Sequence, residues 1–218
     1  SIEEDESTPN GWITYRIKGQ KWGRSRLSII YDDGIIQTIH YKVIKPESDV
    51  VADNGRFLTS EQWFDDFDDP FKRAPSVITY DCEKKEQVTQ DGRVWIAGLS
   101  DEGGAGSWLN AIMKQLIQPD PYEVKKMEDF VNQTLWGGIQ YSKGNWKYGV
   151  RKSLFYYEPD SMPKGTYRED INYNTWSAWR KKEAESVGRS YNYPHVTAAY
   201  WVLYRLARNY KGLATQRS

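Results

Sequence analysis

The chain of 218 residues has a single cysteine, Cys82, so it forms no internal disulfide, and metal sites built on paired cysteines are excluded. It also lacks an excess of either charge, with 30 Lys and Arg against 30 Asp and Glu. Proteins that bind nucleic acid gather surplus cations on one face, so a neutral chain argues against that partner. No apolar run approaches the length needed to cross a bilayer, and no membrane partner is expected. The glycine patterns that cradle phosphates are missing, as are Cys and His at metal-ligand spacing, so neither a cofactor nor a metal is expected. Internal repeats and low-complexity segments are absent as well.

What the sequence has in abundance is tryptophan and tyrosine. Aromatic residues make up 15% of the chain, with 10 Trp and 16 Tyr against 6 Phe. A preference for the two aromatics that carry a polar edge exceeds what a packed core asks for. Flat apolar faces with hydrogen-bonding rims pack in cores and also stack on sugar rings, so for any one tryptophan a place in the core is the first reading, and for the set a carbohydrate partner comes into view.

Three stretches near the start read as strands: residues 12–17, 26–31 and 35–44, rich in Ile, Tyr, Thr and Val. Asp32-Asp33-Gly34 joins the last two as a hairpin, and Pro46 ends the third. Ser1–Asn10, acidic and polar, reads as a frayed end. Three strands make a poor independent domain, because their apolar face needs a second layer. The pattern then turns helical. Thr59 or Ser60 is placed to cap a short helix through Phe64, and Ser76–Tyr80 reads as a short strand. Ser107 is placed to cap a helix with the stripe Trp108, Ala111, Ile112, Gln115 and Leu116. Asp120 and Pro121 open the next, with Val124, Met127, Val131 and Leu135 on one side, and the two read as a helical hairpin. Residues 139–170 read as a long loop, a further helix is expected over 175–184, and the clearest stripe runs from Val196 through Ala199, Leu203 and Leu206 to Tyr210. The expected class is α+β, with a strand region over 1–47 and a helical region over 48–218.

The stretch 95–108, with Gly103, Gly104 and Gly106 between Trp95 and Trp108, reads as a glycine-rich loop in which a ligand could approach the backbone. It carries Asp101 and Glu102. Cleavage of a glycoside uses two carboxyl groups on opposite sides of the scissile bond, so neighbours in sequence supply at most one of them. Glu169 and Asp170, at the end of the long loop, are the nearest candidates for the other. The competing reading is that Asp101 and Glu102 cap the following helix. Asn192-Tyr193-Pro194-His195 offers Tyr193 and His195 as an acid and base for lyase chemistry, or His195 as a structural residue of a first helical turn. Asp65, Asp66, Asp68 and Asp69 lack the spacing of a calcium loop and read as a solvated acidic face. Trp63, Trp95, Trp108 and Trp176 are candidate sugar platforms.

Three segments carry a family resemblance: residues 69–76 (DPFKRAPS), 97–108 (AGLSDEGGAGSW) and 186–195 (SVGRSYNYPH). They resemble a family of secreted microbial carbohydrate-active proteins grouped with the six-hairpin glycosidases. That resemblance runs from about Trp22 to Gly212. It implies an extracellular protein, a β-sandwich followed by an (α/α)6 toroid, and hydrolysis of a poly- or oligosaccharide. Three strands and about five helices fall short of that fold, so the resemblance also implies a piece of a longer or processed protein, with its missing part as a partner. A non-catalytic carbohydrate-binding module is the third function in view.

Overall fold

The computed structural model describes residues 1–7 and 10–214. The protein is α+β, with helices and small antiparallel two-stranded sheets, and it divides into two compact units, Ser1–Val50 and Val51–Ser218.

Two ribbons make up the first unit. In one, β1 (Ile2–Ser7) pairs antiparallel with β2 (Ile13–Ile17), Ile2 standing opposite Ile17. The expected frayed end is therefore partly strand. Its backbone finds partners on β2, and Arg16 holds Asp5 with both carboxylate oxygens at 3.0–3.1 Å, which neutralises part of the acidic run. In the other ribbon, β3 (Gly23–Ile30) pairs in unbroken register with β4 (Ile36–Val43). The turn between them closes as Asp33 accepts from the Ile35 amide at 3.0 Å and Gly34 takes φ +83°, a conformation that favours glycine. Alternation sorts the side chains of this ribbon. Leu27, Ile29, Tyr41 and Val43 are half-buried on one face, while Arg24, Arg26, His40 and Lys42 are exposed on the other.

The helix α1 (Glu47–Thr59) starts within the first unit and ends in the second; the sequence reading did not anticipate it, and it has Glu47 and Asp49 in its first turn and Arg56 in its last. Thr59 ends that helix where it was expected to start one. Trp63–Phe64 (β5) instead pairs with Ser76–Val77 (β6), and Tyr80–Asp81 (β7) with Glu86–Gln87 (β8). Short paired segments in this stretch bury Phe64 and Val77, which outweighs the helical spacing read into residues 60–64.

The main core lies among α2 (Glu102–Lys114), α3 (Pro121–Phe130), the π-turn Val131–Leu135 and α5 (Asn192–Asn209). Trp108, Ala111, Ile112, Val124, Met127, Leu135, Val196, Ala199 and Leu206 are buried as their periodicity predicts. Asp120 caps α3 by accepting from the amides of Tyr122 and Glu123, with Pro121 in the first turn. The link between α2 and α3 is tied by a buried polar set. Lys114 Nζ and Gln115 Nε2 both donate to Glu123 Oε2 at 2.7 Å, and Gln115 Oε1 accepts from the Asp120 amide at 3.0 Å. Gly55 lets α1 lie against that carboxylate, since a Cβ there would stand 2.4 Å from Glu123 Oε1.

Residues 139–170 run without regular helix or strand, yet they are packed. Phe71, Val94, Ala97, Phe155 and Tyr173 form a second, aromatic core with Tyr157 and Tyr167 against it. Arg73 joins the two cores. Its buried guanidinium grips both oxygens of Asp69 at 2.8–2.9 Å, donates to the carbonyls of Thr89 and Ala97, and lies 5.1–5.5 Å from the rings of Phe64, Phe71 and Phe155. Asp69, expected on a solvated face, is 4% exposed because this arginine compensates its charge. The helix expected over 175–184 shrinks to α4 (Lys181–Ala184), and the preceding residues pack as loop.

Candidate functional site

The glycine-rich stretch is helix rather than loop. Asp101 is the N-cap, accepting from the Glu102 amide at 2.7 Å, and Gly103, Gly104 and Gly106 all lie in α2, which begins well before Ser107. Glycine is a weak helix former, and at Gly103 and Gly104 close approach supplies a packing reason for it, whereas a Cβ on Gly106 would meet open space. A Cβ on Gly104 would stand 2.6 Å from the Leu99 nitrogen and from the Trp95 carbonyl oxygen, and one on Gly103 would stand 2.7 Å from Ile96 Cδ1. The first turn of α2 is thereby pressed onto residues 95–99. Leu99, fully buried, takes φ +68° to turn the chain into the cap, and its carbonyl accepts from Trp108 Nε1 at 2.6 Å. Ser107, expected as the cap, instead accepts from Gln62 Nε2 at 3.0 Å.

Docking α2 in this way lines up a small cavity of about 200 Å³ between Trp95, Asp101, Glu102, Gly103, Trp176, Trp179 and Arg189. Trp95 is its hub: its ring centroid lies 5.5 Å from that of Trp176 and 5.1 Å from that of Trp179. Trp176 is 84% exposed, an unusual state for the largest apolar side chain. The volume falls below the range of roughly 300–1,000 Å³ usual for drug-sized ligands, so the cavity suits a single ring.

The two acidic residues have separate environments. Asp101 is 3% exposed; one oxygen caps the helix, and the other meets Arg189 Nε at 2.6 Å in an ion pair that lacks hydrogen-bond alignment. Both carboxylate oxygens are thus committed to the protein. Glu102 keeps 62% of its side chain exposed, with Arg189 Nη2 at 3.1 Å from Oε1. Of this pair, Glu102 is the one free to meet a ligand.

Trp108 is withdrawn as a platform: it is fully buried, its ring against Phe130 and its indole N–H on Leu99. Trp63 is half-buried at the main core with Lys126 Nζ 4.6 Å over its ring, and it does not line the tryptophan cavity. Glu169 and Asp170 line other cavities. Glu169 borders one of about 600 Å³ with Tyr157, Tyr173 and Arg180, and Asp170 one of about 390 Å³ with Asp91 and Arg93. Arg168 donates to both oxygens of Asp170 and holds its carboxyl below the usual aspartate range. Neither residue faces Asp101 or Glu102 across the tryptophan cavity, so they do not supply the second carboxyl group there. Tyr193 donates its hydroxyl proton to the Val187 carbonyl at 2.8 Å, which occupies the group that a lyase would use. His195 is half-buried with Nδ1 unpartnered, and neither residue lines the tryptophan cavity.

Trp179 and Arg189 are the site residues that sequence reasoning missed. Trp179 fell inside an expected helix, and Arg189 sits in the segment 186–195. Nothing in their local pattern ties them to residues 95–103, some 80 positions away. Arg189 does bring two stretches of the sequence reading together, anchoring the chain that enters α5 to the cap of α2. Among the described residues no group of three or more His, Cys, Asp or Glu is placed to hold a metal ion, and no helix is long and apolar enough to cross a membrane.

A family profile described as a family of unknown function, DUF5695, matches residues 1–218, and the chain belongs to that family. No curated protein and no solved structure matches it.

Proposed function

We propose that this chain is the sugar-recognising part of a glycoside hydrolase, with the cavity at Trp95, Trp176 and Trp179 as a subsite for one sugar ring and Glu102 as the carboxylate that meets it. The observation that carries this reading is the exposure of Trp176 beside Trp95 at the mouth of a small polar-rimmed cavity. An indole offers an apolar face to the C–H side of a pyranose, while Glu102 and Arg189 offer an acceptor and a donor to its hydroxyls. Hydrolysis needs a second carboxyl group across the glycosidic bond, and Asp101 is taken up by its cap and its ion pair. The second group accordingly comes from residues outside this cavity, in line with a chain that is one part of a longer or processed secreted protein. The helical hairpin of α2 and α3 and the ribbons of the first unit suit a partial (α/α) toroid and the end of a β-sandwich.

One specific observation favours a second reading, a binding module without catalysis: the cavity has a single exposed carboxylate, Glu102, with one oxygen on Arg189. A panel of neutral oligosaccharides, followed by calorimetry and by release of reducing ends, separates the two. Trp176→Ala is expected to weaken binding by about tenfold. In the full-length protein, Glu102→Gln is expected to retain binding and to slow hydrolysis by ~100-fold or more. Binding without any product would favour the module, an unsaturated product would favour lyase chemistry, and unchanged affinity in Trp176→Ala would remove the cavity from the account.

A further inference from the structure

The β3–β4 ribbon carries a feature that folding alone disfavours. Its exposed face sets Arg24 directly opposite Lys42 and Arg26 directly opposite His40, so cationic or proton-accepting groups are paired with cations across two successive rungs. Like charges facing each other across a ribbon destabilise it, and a face selected only for stability would hold Thr, Glu or an aromatic at one position of each pair. Neither strand contains an acidic residue. Arg24, Arg26 and Lys42 are all exposed and have no carboxylate partner among the described residues. Within a chain of zero net charge, residues 21–45 hold five Lys and Arg against only Asp32 and Asp33 at the turn. The cations are therefore concentrated here.

Strand geometry fixes the shape of this patch. Side chains on one face recur about every 7 Å along a strand and stand about 5 Å apart across the pair, which yields a flat grid. The same face continues to the hydroxyl pair Ser28 and Thr38 at one end. Beyond the other end lies the exposed Trp22, with Lys45 Nζ 4.5 Å over its ring. Cations and hydroxyls on one face match a polymer that has both negative charges and hydroxyl-bearing sugar rings.

We infer that this face of the β3–β4 ribbon is a docking surface for an anionic polysaccharide, one bearing carboxylate or sulfate groups. The choice of a glycan over a nucleic acid rests on the carbohydrate reading of the tryptophan cavity and on the small extent of the patch, since polyphosphate binding draws on a wider basic footprint. The ribbon would hold the polymer by charge, whereas the cavity takes a ring by stacking.

The test measures binding of the whole chain to polygalacturonate, dextran sulfate, neutral dextran and a single-stranded oligonucleotide at rising salt. Polygalacturonate or dextran sulfate is expected to bind with an affinity that falls steeply with salt, and which of the two binds better names the acidic group. Arg24→Gln with Arg26→Gln is expected to weaken this binding by about tenfold, and Lys42→Gln alone, on the opposite strand, by a few-fold. Because these side chains are exposed, circular dichroism of the variants should match the parent chain. Binding of the polyanion unchanged in both variants, equal binding of neutral dextran by the Trp95→Ala or Trp176→Ala chain, or tighter binding of the oligonucleotide would each overturn the inference. Trp95→Ala and Trp176→Ala serve as the separate control: loss of neutral-sugar binding concerns the cavity, and polyanion binding is expected to survive in them.

Discussion

The two units of this protein spend their apolar residues in opposite ways. In Ser1–Val50 no described residue is buried, and Trp12, Trp22, Ile30, Ile35 and Ile36 are each more than 60% exposed. In Val51–Ser218, α2, α3 and α5 close over a core whose central side chains are fully sequestered, and a second aromatic core organises the long irregular segment. The comparison teaches where precision resides. A two-stranded ribbon fixes register and the identity of its faces but little else, which suits a charged docking surface. A cavity that holds three indoles and a carboxylate in place needs packed walls, and among the described residues the buried cores lie in the helical unit.

Breaking the helical unit should show the contrast at its largest. Arg73→Met leaves the buried carboxylate of Asp69 without its partner and is expected to cost about 3–5 kcal/mol, enough to unfold the unit or lower its melting temperature sharply. The cooperative transition followed by near-ultraviolet circular dichroism checks this. A loss below ~1 kcal/mol would mean that the two cores do not meet through this arginine.

A smaller effect should appear at alkaline pH. Burial raises the ionisation of Tyr156, Tyr167 and Tyr173 above the ordinary value of 10.0, Tyr167 to about 12. These groups stay neutral in the folded chain at a pH where the unfolded chain would already ionise them. Their stabilising effect is therefore complete below pH 10.0 and is lost as pH rises towards about 12. Melting temperature against pH, read together with tyrosinate absorbance, should show stability falling across that window. A flat profile there would contradict the packing described for the aromatic core.

Much of this was legible in the sequence wherever local physics decides. The stripe Val124, Met127, Val131 and Leu135 and the cap at Asp120 were readable because periodicity and capping act within one turn. Asp32-Asp33-Gly34 marked the β3–β4 turn for the same reason. Other features were hidden because distant partners decide them. Asp69 looked solvated until Arg73 was seen in the core, and the glycines looked like a loop until residues 95–99 were found packed against Gly103 and Gly104. The sequence reading assigned the acidic pair to the helix cap or, at most one of them, to chemistry; the structure has Asp101 as the cap and Glu102 exposed. Which was which, and that Arg189 and Trp179 complete the cavity, depended on contacts formed only in the folded chain.

The central claim is that the tryptophan cavity receives a sugar ring, and the indole N–H resonances test it most directly. On titration with the oligosaccharides that the chain binds, the signals of Trp95, Trp176 and Trp179 should shift together and saturate, while that of the buried Trp108 stays in place. Saturable sugar binding that leaves Trp95 and Trp176 unmoved would contradict it.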